Sequence, residues 1–254
     1  MSATTATTST LRATPGLSFA TLLRVELRKA TDTRSGRWLL TLIVGLSAVV
    51  LGWALFHPAD GVSFSSYGGP MAGVVAFLAP IIGLLAMTAE WTQRTALTTF
   101  TLAPRRGQVL AAKFSASMIL AMATLAVGIA LAFVTTIIGG LVHGGATWAG
   151  TGTEIRSYVI VVATQVVMAT AFGALAAQTT VAIGAFLAAP LVWAQVSEPL
   201  LGKVAPWFDV FSAYNHLASS RPLDHAAQTL TAVTLWVIVP AAIGITRSLR
   251  REVK

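Results

Sequence analysis

The sequence contains no cysteine. That excludes a disulfide framework, a thiolate metal site and a cysteine nucleophile. Charge is also scarce: Asp, Glu, Lys and Arg make up 10% of the 254 residues, against about 25% in soluble domains. A soluble chain of this length needs far more charge to clothe its surface. What fills the space instead is apolar: hydrophobic residues are 55% of the chain, and mean hydropathy is +0.75. The first long uncharged run begins only at Trp38, and no cleavable signal peptide is visible before it. Residues 1–17 are rich in Ser and Thr and lack an apolar core, so they read as a disordered tail.

The gaps between charges organise the rest. Trp38 to Ala59, Gly61 to Ala89, Phe114 to Thr153, Ser157 to Ser197 and His225 to Thr246 carry none. A membrane-spanning helix needs roughly 20 apolar residues. Four gaps hold one helix each. The gap from Ser157 to Ser197 is long enough for two, with Gln178-Thr179-Thr180 as the turn between them. The pattern predicts an all-α membrane protein, one transmembrane domain over 18–254. Its six spans fall near 38–56, 70–89, 114–141, 157–177, 181–197 and 227–246. Pro80, Pro190 and Pro240 lie inside spans, where they kink or loosen a helix.

Basic residues set the orientation. Arg12, Arg24, Arg28, Lys29, Arg34 and Arg37 precede the first span. Arg94, Arg105, Arg106 and Lys113 lie between the second and third, and Arg247, Arg250, Arg251 and Lys254 follow the sixth. Only Arg156, Lys203 and Arg221 fall on the other side. An even number of spans with both termini cytoplasmic satisfies this distribution. The net charge of +8 is then a topology signal rather than a nucleic-acid footprint, and no nucleic-acid partner is expected.

Two cytoplasmic segments stand out. Over 18–36, Leu22, Leu23 and Leu27 share one helical face with Phe19 and Ala30. Arg24, Glu26, Arg28 and Lys29 occupy most of the remainder. With Ser18 as N-cap, this reads as an amphipathic helix lying in the cytoplasmic interface. The loop from Glu90 to Lys113 is the longer polar segment. Glu90 closes the second span, where a carboxylate must be paired or solvated, and Arg94 could pair with it if the helix continues. Small residues recur every fourth position at Ala169-Gly173-Ala177, Gly184-Ala188 and Gly69-Gly73, a spacing that lets helices approach closely.

In this loop the sequence resembles the permease subunits of ABC-2 type transporters, the bacterial membrane partners of ATP-binding cassette proteins. The resemblance rests on Glu90, Trp91, Thr95, Pro104-Arg105-Arg106, Val109-Leu110 and Ala112-Lys113, and on the opening Glu26-Leu27-Arg28-Lys29 with Thr33-Arg34-Ser35 and Trp38. It departs at Thr92 and Arg94, where many members carry a basic residue and a glycine. As a plan it covers nearly the whole chain, including a segment over 198–225 that in the family dips back into the outer leaflet. An ordinary loop there fits the sequence equally well. The resemblance implies a dimer of permeases, homo- or heteromeric, in the bacterial cell membrane, bound to ATP-binding cassette subunits that hold ATP and Mg. It implies that Glu90, Trp91, Gln93, Arg94, Thr95, Pro104, Arg105, Arg106 and Lys113, with the 18–36 helix, couple to that subunit. It also implies export of a hydrophobic or amphipathic substrate such as a drug, antibiotic or lipid.

The chain itself reads as a non-enzyme without cofactor. Gly202-Lys203 lacks the glycine and the Ser/Thr of a phosphate-cradling loop. His57, His143, His216 and His225 lack tight ligand spacing, so no metal site is expected. A secondary transporter would carry ionisable residues mid-span, and these spans offer Gln165, Gln195 and hydroxyls instead. A membrane scaffold or immunity protein remains the other alternative. Native absence of cysteine makes the topology directly testable. Single cysteines at Ser66, Gly152 and Ser220 should label with an impermeant maleimide in intact cells, and those at Ser9 and Gln108 only after lysis; any reversal refutes six spans with cytoplasmic ends.

Overall fold

The computed structural model describes residues 18–57, 61–93, 95, 105–176, 178–219, 221 and 223–250. The tail over 1–17 expected to be disordered, and the loop positions Arg94 and Pro104, lie outside them. Among the described residues the regular structure is helical, apart from one isolated bridge pairing Ser63 with Thr147. A short helix α1 (Phe19–Asp32) leads into α2 (Arg34–Phe56), α3 (Phe64–Thr92), α4 (Arg106–His143), α5 (Thr151–Ala176) and α6 (Thr179–Leu201). A 3-10 turn (Gly202–Trp207) and α7 (Val210–Ala218) follow. The last span is α8 (Ala226–Val233), a π-helical turn (Thr234–Ile238) and α9 (Val239–Arg250).

Six of these helices or helix runs are long and apolar enough to cross a membrane. Their surfaces agree with that. Along α2, Trp38, Leu42, Leu46, Val49, Trp53 and Phe56 are all exposed at three- to four-residue spacing. A continuous apolar stripe of this kind belongs against lipid or another apolar surface, not water. The observed helices overrun the expected spans at several ends. The longest, α4, has 38 residues and so extends about 57 Å, well beyond a hydrocarbon core of about 30 Å. Its first two turns, which carry Lys113, precede the expected span at 114–141.

At the centre, α3 packs along α4 and α5. Glycines permit the close approach. A Cβ on Gly173 of α5 would sit 2.9 Å from the Met87 Cβ and 3.2 Å from the Leu84 carbonyl oxygen of α3. The small-residue spacing around Gly173 thus serves packing within the chain. Gly73 and Gly184, from the other two small-residue pairs, face open space.

The expected interfacial helix over 18–36 is broken at Thr33. Thr33 ends α1, its N–H bonding the Lys29 carbonyl, and starts α2, its hydroxyl accepting from the Gly36 N–H. One residue acting as cap in both directions is what a periodicity argument running through 18–36 overlooks. The break is tight: a Cβ on Gly36 would overlap the Ala30 carbonyl oxygen. Ser18 does cap the start of α1, accepting from the Thr21 N–H at 3.2 Å.

The segment after α6 folds back against the bundle. Trp236 donates its indole N–H to the Phe208 carbonyl at 2.8 Å. Tyr214 donates to the Met168 sulfur of α5, and Ser157 donates to the Ala218 carbonyl. Between Gly202 and Ala218 the structure therefore has two short helices rather than an irregular loop. Hydrogen bonds also gather the helix ends. Arg106 donates to the Ser248 and Leu249 carbonyls, and Arg247 to the Leu175 carbonyl. So α1, the C-terminal ends of α3, α5 and α9, and the N-terminal ends of α4 and α6 share one end of the bundle, called the basic end below.

Candidate functional site

A helix surface in lipid cannot solvate ions, so charges near it must find one another. At the basic end, four do. Lys113, two turns into α4, is 2% exposed. Its ammonium donates to Glu26 Oε2 of α1 at 3.0 Å, to Glu90 Oε1 of α3 at 2.6 Å and to the Ala86 carbonyl at 3.0 Å. An ammonium has three N–H donors, and all three are used. Lys29 of α1 completes the group. It donates to Glu26 Oε1 at 2.9 Å and to Glu90 Oε1 at 3.2 Å. The carboxylates of Glu26 and Glu90 are buried, whereas Lys29 keeps nearly half its side chain exposed.

Two carboxylates and two ammoniums balance in charge. The arrangement joins three elements, α1 to α3 and α4, across sequence separations of 87, 61 and 23 residues. For Lys29, burial pulls the ammonium down, but the hydrogen bonds and charges of Glu26 and Glu90 outweigh it, and its pKa stands above the ordinary lysine value. A raised lysine pKa contributes stability in full below the unfolded value, and that contribution is lost as pH rises through the folded one. Lys29 therefore gives no pH dependence near neutrality.

The sequence placed Glu26 and Lys29 on the water-facing side of an interfacial helix. Instead Glu26 points into the bundle, 7% exposed, while Leu22, Leu23 and Leu27 are half-buried beside it. The expected Glu90–Arg94 pair falls on a residue outside the described ones; α3 ends at Thr92, and among the described residues the side-chain partners of Glu90 are Lys29 and Lys113. Of the other expected coupling residues, Gln93, Thr95, Arg105 and Arg28 are exposed, and Trp91 and Arg106 are partly buried. Thr95 returns its N–H to the Glu90 carbonyl at 2.9 Å, which tethers the start of the loop to the cluster. Glu90 and Lys113 are thus buried side chains rather than exposed ones.

Sequence reading missed a second, neutral link. Thr179, at the start of α6, shares hydrogen bonds with Thr88 at 2.8 Å and Thr92 at 3.0 Å. Thr88 and Thr92, one turn apart at the end of α3, were the available signal. Among the described residues, no group of three or more His, Asp or Glu gathers to hold a metal ion.

Compared with known proteins, the sequence matches no family model and no curated protein.

Breaking a buried ion group by removing one member typically costs about 3–5 kcal/mol, because its partners stay buried and uncompensated. Lys113→Met should lower stability by that order in detergent-micelle unfolding. Adding Glu90→Gln, which restores charge balance between Glu26 and Lys29, should recover part of the loss. A double-mutant coupling no larger than about 0.5 kcal/mol would show that the two side chains act independently.

Proposed function

We propose that the chain is the membrane subunit of an ATP-driven exporter of the ABC-2 type, moving a hydrophobic or amphipathic substrate out of the cytoplasm. The observation that carries this reading is the ion cluster. An ATP-driven permease needs a joint at its cytoplasmic face that passes displacement of a docked motor to the spanning helices. Glu26, Lys29, Glu90 and Lys113 tie α1 to the ends of two spans, and both spans pack in the centre of the bundle. A push on α1 or on the loop after α3 would be passed to α3 and α4 together rather than absorbed by a loose tether. The basic end is the cytoplasmic one by its lysines and arginines.

In this reading the residues divide by role. Exposed Arg28, Gln93, Thr95 and Arg105 contact the ATP-binding subunit, which supplies ATP and Mg. Buried Glu26, Glu90 and Lys113 transmit. The apolar stripe from Trp38 to Phe56 faces lipid or a second permease copy.

Tagged chain purified gently from native membranes should bring down an ATP-binding cassette protein. Arg28→Glu with Arg105→Glu should weaken that association at least tenfold. Lys113→Met, where it folds, should keep association but lose ATP-driven transport. Absence of any nucleotide-binding partner, with transport persisting in ATP-depleted vesicles under an ion gradient, would overturn the proposal in favour of a secondary transporter.

A further inference from the structure

Above the ion cluster the structure holds a cavity of about 430 Å³, a size within the ordinary range for small-molecule sites. Its walls are Leu39 and Leu40 of α2 and Ile82, Leu85, Ala86 and Ala89 of α3. Its rim carries Thr33, Ser35, Gln93 and Thr95. One side of that rim is formed by Glu26, Lys29 and Lys113. Along α2, α3 and α4 the polar lining residues lie nearer the basic end and the large apolar ones further in, Thr33 and Ser35 before Leu39 and Leu40, Gln93 and Thr92 before Ile82, and Lys113 before Leu120. From Gln93 at the rim to Ile82 at the base is eleven residues of α3 and its cap, or about 16 Å. That equals the depth of one leaflet of a hydrocarbon core of about 30 Å. The volume spread over this depth makes a slot, with room for one chain rather than a broad chamber.

We propose that this slot is a binding site for a single-chain amphiphile taken from the leaflet at the basic end, its tail between α2 and α3 and its head at the Lys29 rim. The depth and the polarity gradient match such a molecule end to end. The charges select the head. Glu26 and Glu90 cancel Lys29 and Lys113, and Lys113 has no donor left to offer. Among the described residues of the cluster and rim an anionic head therefore meets no net positive charge, while hydroxyls and an amide are available on the rim. The head is uncharged or zwitterionic. This deepens the exporter reading by naming its substrate class and the leaflet that supplies it. Because the site borders Glu26, Lys29 and Lys113, an occupant would touch the same side chains that join α1 to the spans.

The test uses the full chain in nanodiscs without any ATPase, so that failure to find a motor subunit and failure of the site are separate results. Lysophosphatidylcholine carrying a diazirine near the end of its acyl chain is the probe, and lysophosphatidylglycerol with the same chain is its anionic counterpart. Crosslinks should concentrate on residues 36–40 and 82–89. Ala89→Phe and, from α1, Ala30→Phe, both at lining positions, should each cut that labelling at least fivefold. Val49→Phe on the exposed face of α2 should leave it unchanged. If labelling follows exposure along α2 and α3 and neither filling variant that folds alters it, the slot is not a binding site. If the anionic probe labels fivefold more strongly than the zwitterionic one, the head-group assignment is wrong.

Discussion

An ammonium removed from water must have every N–H satisfied and its charge matched. At Lys113 both conditions are met by groups from α1 and α3. Much of the basic end follows from that constraint. Glu26 has to turn inward, which fixes the rotation of α1. Lys29, one turn further along, is drawn to the same carboxylates. Glu90 has to sit at the last turn of α3, which ends two residues later. Replacing the group with well-packed apolar residues would often cost nothing in stability. Its value is better sought in the geometry it specifies: three helices held at one point, in one register.

The backbone around the cluster is shaped to the same end. Thr33 caps α1 and α2 at once, and Gly36 leaves no room for a Cβ against Ala30. The angle between the two helices is therefore set by direct contact. On the far side, Thr88 and Thr92 hold the start of α6 through Thr179. The cavity lies between these fixed points. Its floor is lipid-like and its rim ionic, so an occupant there and a motor bound below would act on the same three helices. That shared contact is the physical link between the two proposals.

The spans were legible in the sequence because the signal is local: a run without charge, twenty residues long, has few alternatives. Even the paired helices between Ser157 and Ser197 follow from length. The cluster was legible only in part. Glu90 was marked as costly at a membrane boundary, and Lys113 lay at the right end of the third span. Nothing local says that a carboxylate 87 residues away completes the set. Periodicity assigned Glu26 to the solvent face because a charge is placed in water by default. The break at Thr33 was hidden for a related reason, since apolar spacing runs on through it. The fold-back of the 3-10 turn and α7 depends on Trp236 reaching Phe208 and Tyr214 reaching Met168, tertiary contacts no short window contains.

The ion cluster, rather than apolar contact alone, holds α1 to the bundle. Amide hydrogen exchange of the Lys113→Met variant measures this directly. Protection across Phe19–Asp32 should fall at least tenfold while α5 keeps its native exchange. Unchanged protection of α1 in a variant that has lost Lys113 would contradict it.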